Sequence, residues 1–132
     1  MNLNMKPWHI VGLVLLVIAT LVTVGVPTKK SADSPELANF ASCLKDRGAV
    51  FYGAFWCPHC DNQKKLFGGA VDKLAYIECS TPDGREQLAV CKDKKINGYP
   101  TWEFKDGSRE TGELPLTRLA EKTGCSLPVN KK

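Results

Sequence analysis

The chain carries no surplus of charge in its main body, only two histidines, and no second pair of closely spaced cysteines to match Cys57 and Cys60. Each shortage excludes something. Lys6, Lys29 and Lys30 flank an apolar segment, and from Ser31 onward 15 basic residues face 14 acidic ones. The charges are interleaved, as in Lys92-Asp93-Lys94-Lys95, so the clustered basic face that nucleic-acid binding needs is missing. A structural zinc site would complete a CxxC pair with another such pair or with paired histidines. Here Cys79 and Cys91 are separated by eleven residues and the histidine other than His59 is His9, inside the apolar segment, so no metal site is expected. No internal repeat is visible. After the N-terminal segment about a hundred residues remain, enough for one modest core and too few for a second domain.

Charge is absent altogether from Trp8 to Val26, where WHIVGLVLLVIATLVTVGV runs 19 residues without Asp, Glu, Lys or Arg. That length suffices to cross a hydrocarbon core as a helix. A cleaved signal peptide would have a shorter apolar region of about 7–15 residues and end in small residues of the A-x-A kind, which Thr23-Val24-Gly25-Val26-Pro27 does not supply. The expectation is a retained membrane anchor over residues 1–27, a polar, proline-bounded linker over 28–35, a folded domain over 36–127 and a tail over 128–132. Lysines on both sides of the span leave the positive-inside rule undecided. All six cysteines lie in the small domain, which favours an oxidising compartment, so the chain is read as single-pass with its domain on the extracytoplasmic side. His9 beside Trp8 reads as an interfacial polar ring without a function.

Within the domain, Ser34-Pro35-Glu36 has the form of a helix start, and Leu37, Phe40, Ala41 and Leu44 follow at helical spacing until Gly48. Ala49 to Trp56 is apolar and too short for a core helix, so it reads as a central buried strand. A helix follows Pro58, interrupted at Gly68-Gly69. Ala75 to Cys79 reads as a second strand, Thr81 to Gly84 as a turn, and Arg85 to Lys94 as a short amphipathic helix. Asp106-Gly107 between Thr101–Lys105 and Ser108–Thr111 signals a two-residue hairpin. Leu114 to Thr123 makes a last helix capped by Gly124. The order predicts an α/β domain with a mixed four-stranded sheet flanked by helices.

The chemistry is carried by Phe-Trp-Cys-Pro-His-Cys. A thiol at a helix N-terminus meets unpaired N–H groups and the positive end of the helix dipole, both of which favour thiolate. Cys57 holds that place and is the expected nucleophile. Cys60, a turn further in, is the expected resolving thiol, able to attack a mixed disulfide formed at Cys57. Pro58 opens the helix without wasting an N–H, and His59 can add positive charge or a hydrogen bond near the sulfur. No cofactor is needed beyond the redox-active cysteine pair. The count of six cysteines leaves every pairing of the other four open.

These residues resemble the thioredoxin superfamily: a strand, then Trp56-Cys57-Pro58-His59-Cys60 and a helix, and later Gly98-Tyr99-Pro100-Thr101 ahead of the hairpin. More narrowly, FASCLK, GAFWCPHCDNQKKLFG, Tyr76-Ile77-Glu78-Cys79, GYPTW and the closing Gly124-Cys125 resemble the thioredoxin-like domain fused to vitamin K epoxide reductase homologues, over about Leu37 to Cys125. The resemblance implies a thioredoxin-like fold, a cis peptide before Pro100, and Trp56, Tyr99 and Pro100 as substrate-binding residues. It also implies structural disulfides joining Cys79 to Cys91 and Cys43 to Cys125. The implied partners are cysteine-containing protein substrates, the membrane, and a membrane quinone reductase of the vitamin K epoxide reductase type that takes the electrons. The buried acid that thioredoxins place six residues before the first cysteine is Phe51 here, which leaves Cys60 without the usual proton acceptor.

The reading that follows is a membrane-anchored protein thiol-disulfide oxidoreductase that oxidises substrate dithiols through a Cys57–Cys60 disulfide. The alternatives are a reductase or isomerase running electrons the other way, and a tethered module holding copper or zinc on the cysteine pair.

Overall fold

The computed structural model describes residues 34–128. The expected anchor, the linker as far as residue 33 and the tail beyond Pro128 lie outside the described residues. Among the described residues, no helix is long and apolar enough to cross a membrane.

Helix α1, Pro35–Asp46, begins as its sequence requires: the Ser34 hydroxyl accepts the Leu37 N–H at 3.3 Å, and Pro35 fills the first turn. Its buried face is Phe40, Ala41 and Leu44, and Gly48, at φ +78°, turns the chain away. Strand β1, Val50–Gly53, follows. The chain then runs through α2 (Pro58–Lys65), a 3₁₀ turn (Gly68–Lys73), β2 (Ala75–Glu78), α3 (Ala89–Asp93), β3 (Thr101–Glu103), β4 (Arg109–Thr111) and α4 (Leu116–Thr123). The strand order is β2-β1-β3-β4. β1 and β2 run parallel with Phe51 opposite Tyr76 and Gly53 opposite Glu78, and the other two pairings are antiparallel. This is the mixed four-stranded sheet of a thioredoxin-like fold.

Because side chains alternate along a strand, β1 feeds two cores. Phe51 stacks on Trp102 with ring centroids 4.9 Å apart and joins Phe40, Leu44, Phe67 and Leu119 in the main core, to which α1, α2 and α4 contribute. Tyr52 points to the other face, into a smaller cluster with Cys79, Cys91 and Ile96 that α3 covers. Two disulfides staple these layers. Cys43–Cys125 ties α1 to the residue just beyond α4, and Cys79–Cys91 ties the end of β2 to α3. At the end of α4, Gly124 takes a left-handed conformation and its N–H closes on the Ala120 carbonyl at 2.7 Å.

Three local expectations change. The first strand ends at Gly53 rather than Trp56, because Phe55 and Trp56 turn out to solvent with about half their surface exposed. The helix expected over Arg85–Lys94 begins only at Ala89. Residues 85–88 instead fold back along the chain after β2: Ser80 bridges Gln87, Thr81 N–H bonds the Glu86 carbonyl, and Leu88 N–H bonds the Cys79 carbonyl at 2.7 Å. The hairpin loop has three residues, not two. Phe104 N–H meets the Ser108 carbonyl, Gly107 N–H returns to the Phe104 carbonyl, and Gly107 takes φ +78°. That is a type I turn followed by a left-handed glycine, the next most common way to close a hairpin.

Candidate active site

The loop from Ala54 to Trp56 delivers the chain to α2 with Cys57 as its N-cap. Cys57 Sγ accepts the Cys60 N–H at 3.2 Å, so the sulfur takes the place a serine or aspartate oxygen takes at ordinary helix starts. Pro58 occupies the first helical position, where its missing N–H loses nothing. Both thiols are free. Both are buried, Cys57 with 4% of its surface exposed and Cys60 with none, so Cys57 is the one of the two that keeps any contact with solvent.

Burial pushes the Cys60 thiol up, to about 12, with the neighbouring Cys57 adding in the same direction and a hydrogen bond with the Ala54 backbone, more than Lys64, opposing. Desolvation disfavours the charged form and nothing polar in its immediate shell fully replaces the lost water. Cys60 is therefore held as a thiol until something removes its proton.

The opposite wall of the site is the Tyr99–Pro100 peptide, which is cis. The Cys57 thiol lies 3.7 Å from the Tyr99 carbonyl oxygen. The Tyr99 hydroxyl accepts from the Gln87 amide at 2.7 Å, and the same amide nitrogen bonds the Ile96 carbonyl, so Gln87 fixes the loop that faces the cysteines. Trp56 donates through its indole N–H to the Ser80 hydroxyl at 2.8 Å and meets the Tyr99 ring edge-on, 6.0 Å between centroids. Cys57, Trp56 and Tyr99 thus come together, with Pro100 itself fully buried and the segment between Cys79 and Cys91 bonded to Trp56 and Tyr99 through Ser80 and Gln87. In α2, Cys60 is fully buried and Pro58 is exposed.

His59 is brought elsewhere. Its ring nitrogen contacts Glu113 Oε1 at 2.6 Å, in an exposed pair, and among the described residues it makes no hydrogen bond to Cys57. The hydrogen bonds from His59 and Asn62 hold the Glu113 carboxyl below the usual carboxylate range. Beneath this pair the Gln63 amide, fully buried, exchanges two hydrogen bonds with the backbone of Leu114, at 2.7 and 3.0 Å. α2 is thereby locked to the chain ahead of α4. Neither Gln63 nor Gln87 has a sequence signature; each is recognisable only once its partners are close in space.

The four remaining cysteines form the two disulfides described above and take no part in the site. Among the described residues, no group of three or more His, Cys, Asp or Glu side chains is arranged to hold a metal ion. What the arrangement can do chemically is thiol–disulfide exchange. A thiol at a helix N-terminus is favoured as thiolate, and a second thiol one turn inside stands ready to attack or to be expelled.

No family model matches the chain. It is similar to the thiol-disulfide oxidoreductase LTO1 of Arabidopsis thaliana, with 45% identity over 102 residues. The match takes in 74% of this chain and 27% of that protein, so the chain spans about a quarter of the length of the relative.

Proposed function

We propose that this chain is a membrane-anchored protein thiol-disulfide oxidoreductase that oxidises the dithiols of substrate proteins. The observation that carries the proposal is the free Cys57–Cys60 pair at the N-terminus of α2, with Cys57 as the cap beside the Tyr99–Pro100 peptide, nearly covered, and Cys60 fully buried one turn further in. The name of the similar plant protein agrees with the reaction class. In the working cycle a substrate thiolate attacks Cys57 of the oxidised pair and Cys60 leaves, giving a mixed disulfide; the second thiolate of the substrate then attacks the substrate sulfur of that bond and expels Cys57, so that the disulfide passes to the substrate. Phe55, Trp56 and Tyr99 offer the apolar and aromatic surface on which an extended, cysteine-bearing segment would lie.

The reduced pair then hands its electrons to a membrane quinone reductase of the vitamin K epoxide reductase type. Support for that partner comes from the sequence resemblance, and support for the anchor from the uncharged run Trp8–Val26. Two disulfides in a domain of this size favour an extracytoplasmic setting.

The test is Cys60→Ser. This variant should accumulate mixed disulfides on Cys57 with its substrates and its redox partner, visible as reducible adducts on gels. No adducts on the variant, with wild-type levels of protein, sinks the mechanism. The reduction potential of the pair fixes the direction: a value towards about −120 mV supports the oxidase, and one near about −270 mV turns the chain into a reductase.

A further inference from the structure

Exchange at Cys60 requires a proton to move, and the site contains no buried acid at the position of Phe51. Gly53, two residues further along β1, marks another route. The space a Cβ would fill at Gly53 is 3.2 Å from Cys60 Sγ, 2.9 Å from Tyr76 Cε2 and 3.3 Å from the Tyr76 hydroxyl oxygen. Only a glycine lets the phenol of β2 and the sulfur of α2 approach the same point. The parallel register sets this up by placing Phe51 opposite Tyr76 and Gly53 opposite Glu78 on one face of the sheet.

The Tyr76 hydroxyl donates to Glu78 Oε2 at 2.7 Å. The other carboxylate oxygen, Oε1, accepts the N–H groups of Ser80 at 2.9 Å and Phe55 at 3.2 Å, so the carboxylate cannot swing away. Both side chains are half-buried on β2, an edge strand, which leaves the carboxylate end within reach of water. Lys64, on α2, sits 4.0 Å from the centre of the Tyr76 ring. The ionisable groups facing Cys60 from the elements packed around it are thus Cys57 and Lys64 from α2 and Tyr76 with Glu78 from β2.

We propose that Tyr76 and Glu78 form the proton relay of the resolving thiol. The inference rests on the redox reading of Cys57 and Cys60. When a mixed disulfide on Cys57 is resolved, the Cys60 proton passes to the Tyr76 oxygen as the Tyr76 proton passes to the Glu78 carboxylate. The Cys60 sulfur bonds Cys57 Sγ, and the bond from Cys57 to the substrate sulfur breaks. The substrate leaves as a thiolate with that electron pair. The protein dithiol is oxidised and the substrate reduced. In the oxidase direction every step reverses: a substrate thiolate attacks Cys57, Cys60 is expelled with the electron pair, and the proton enters at Glu78 and reaches Cys60 through Tyr76. Burial raises the phenol of Tyr76 as well, so it transfers a proton in concert and does not accumulate as a tyrosinate. The resting dithiol makes no Tyr76–Cys60 hydrogen bond among the described residues; such bonds are often long before the reacting complex forms.

The experiment uses the full chain with Cys57 converted to its mixed disulfide with thionitrobenzoate, whose release by Cys60 is followed by absorbance in stopped flow from neutral to alkaline pH. Tyr76→Phe keeps the ring, and Glu78→Gln keeps an acceptor for Ser80 and Phe55. Each variant should release the thiolate at least about tenfold more slowly at neutral pH, with the deficit closing in alkali as Cys60 ionises unaided. A merely structural role would slow release equally at every pH. Wild-type rates in both variants, or a deficit that does not depend on pH, overturn the relay. If one variant melts early, the other carries the test, and Glu78→Asp should recover part of the rate that Glu78→Gln loses. No release from the wild-type adduct would instead strike at the redox reading itself.

Discussion

Cys57–Cys60 and Cys79–Cys91 lie on opposite faces of β1, and their difference shows what the proposed reactivity of the first pair rests on. Both members of the second pair are fully buried in the small core with Tyr52 and Ile96, joined to each other, twelve positions apart, and neither caps a helix. In the first pair one sulfur replaces the capping oxygen of α2, and its partner lies one turn inside, both as free thiols. Burial alone does not separate the pairs, since Cys57 too is almost covered. The capping position at a helix N-terminus does, because it supplies N–H donors and a dipole to a sulfur that another sulfur can reach.

The sharpest way to break that comparison is to remove the stapling pairs. Cys43→Ala with Cys125→Ala opens a loop with a sequence separation of 82, against 12 for Cys79→Ala with Cys91→Ala. On loop entropy the first should lose about 4.5 kcal/mol of stability and the second about 3 kcal/mol. Denaturant melts of the two double variants check the order. Below the unfolding transition both should still exchange disulfides at Cys57. Loss of exchange by a folded Cys79/Cys91 variant would mean that this pair shares in the chemistry and that the contrast between the two is false.

Much of that contrast is legible in the amino-acid sequence. Ser34-Pro35 sets the start of α1, Gly48 its end, and Cys57-Pro58 the start of α2, because caps and prolines act on their immediate neighbours. Long-range partners are not legible. His59 next to Cys57 invites a role at the sulfur, but Glu113, 54 positions away in sequence, takes its ring nitrogen. The amphipathic pattern over Arg85–Lys94 predicts a longer helix than forms, because tertiary hydrogen bonds from Ser80, Thr81 and Cys79 claim residues 86–88. Tyr76 and Glu78 are ordinary strand residues until the parallel register sets Gly53 beside them.

Gly53→Ala tests that juxtaposition with one methyl group. The new Cβ would stand 2.9 Å from Tyr76 Cε2, closer than side chains pack, while Tyr76 is tied to Glu78 and backed by Lys64. Overpacking of this kind destabilises by about 1–3 kcal/mol. The displaced ring should also slow resolution at Cys60, which a stability loss elsewhere in the sheet would not do. Thermal melts and adduct-release rates measured together separate the two effects. An unchanged melt and rate would mean that the approach of Tyr76 to Cys60 has no consequence.

The smallest effect concerns the exposed edge of the same helix. Because His59 and Asn62 hold the Glu113 carboxyl below its ordinary range, the folded protein binds that proton less readily than the unfolded chain. Stability from this source is present above the ordinary carboxylate range and is lost as pH falls through the lowered folded value. Glu113→Gln should therefore be slightly less stable than wild type at neutral pH and indistinguishable from it in acid, as read from denaturant midpoints across that range. The exposure of the pair keeps the effect small, since solvent screens both partners. Exchange at Cys57 should barely change, because His59 bonds Glu113 and not the Cys57 sulfur. A large loss of exchange in Glu113→Gln would restore His59 to the chemistry through its freed ring, and would make the start of α2, rather than the sulfur that caps it, the unit that sets the reactivity of this site.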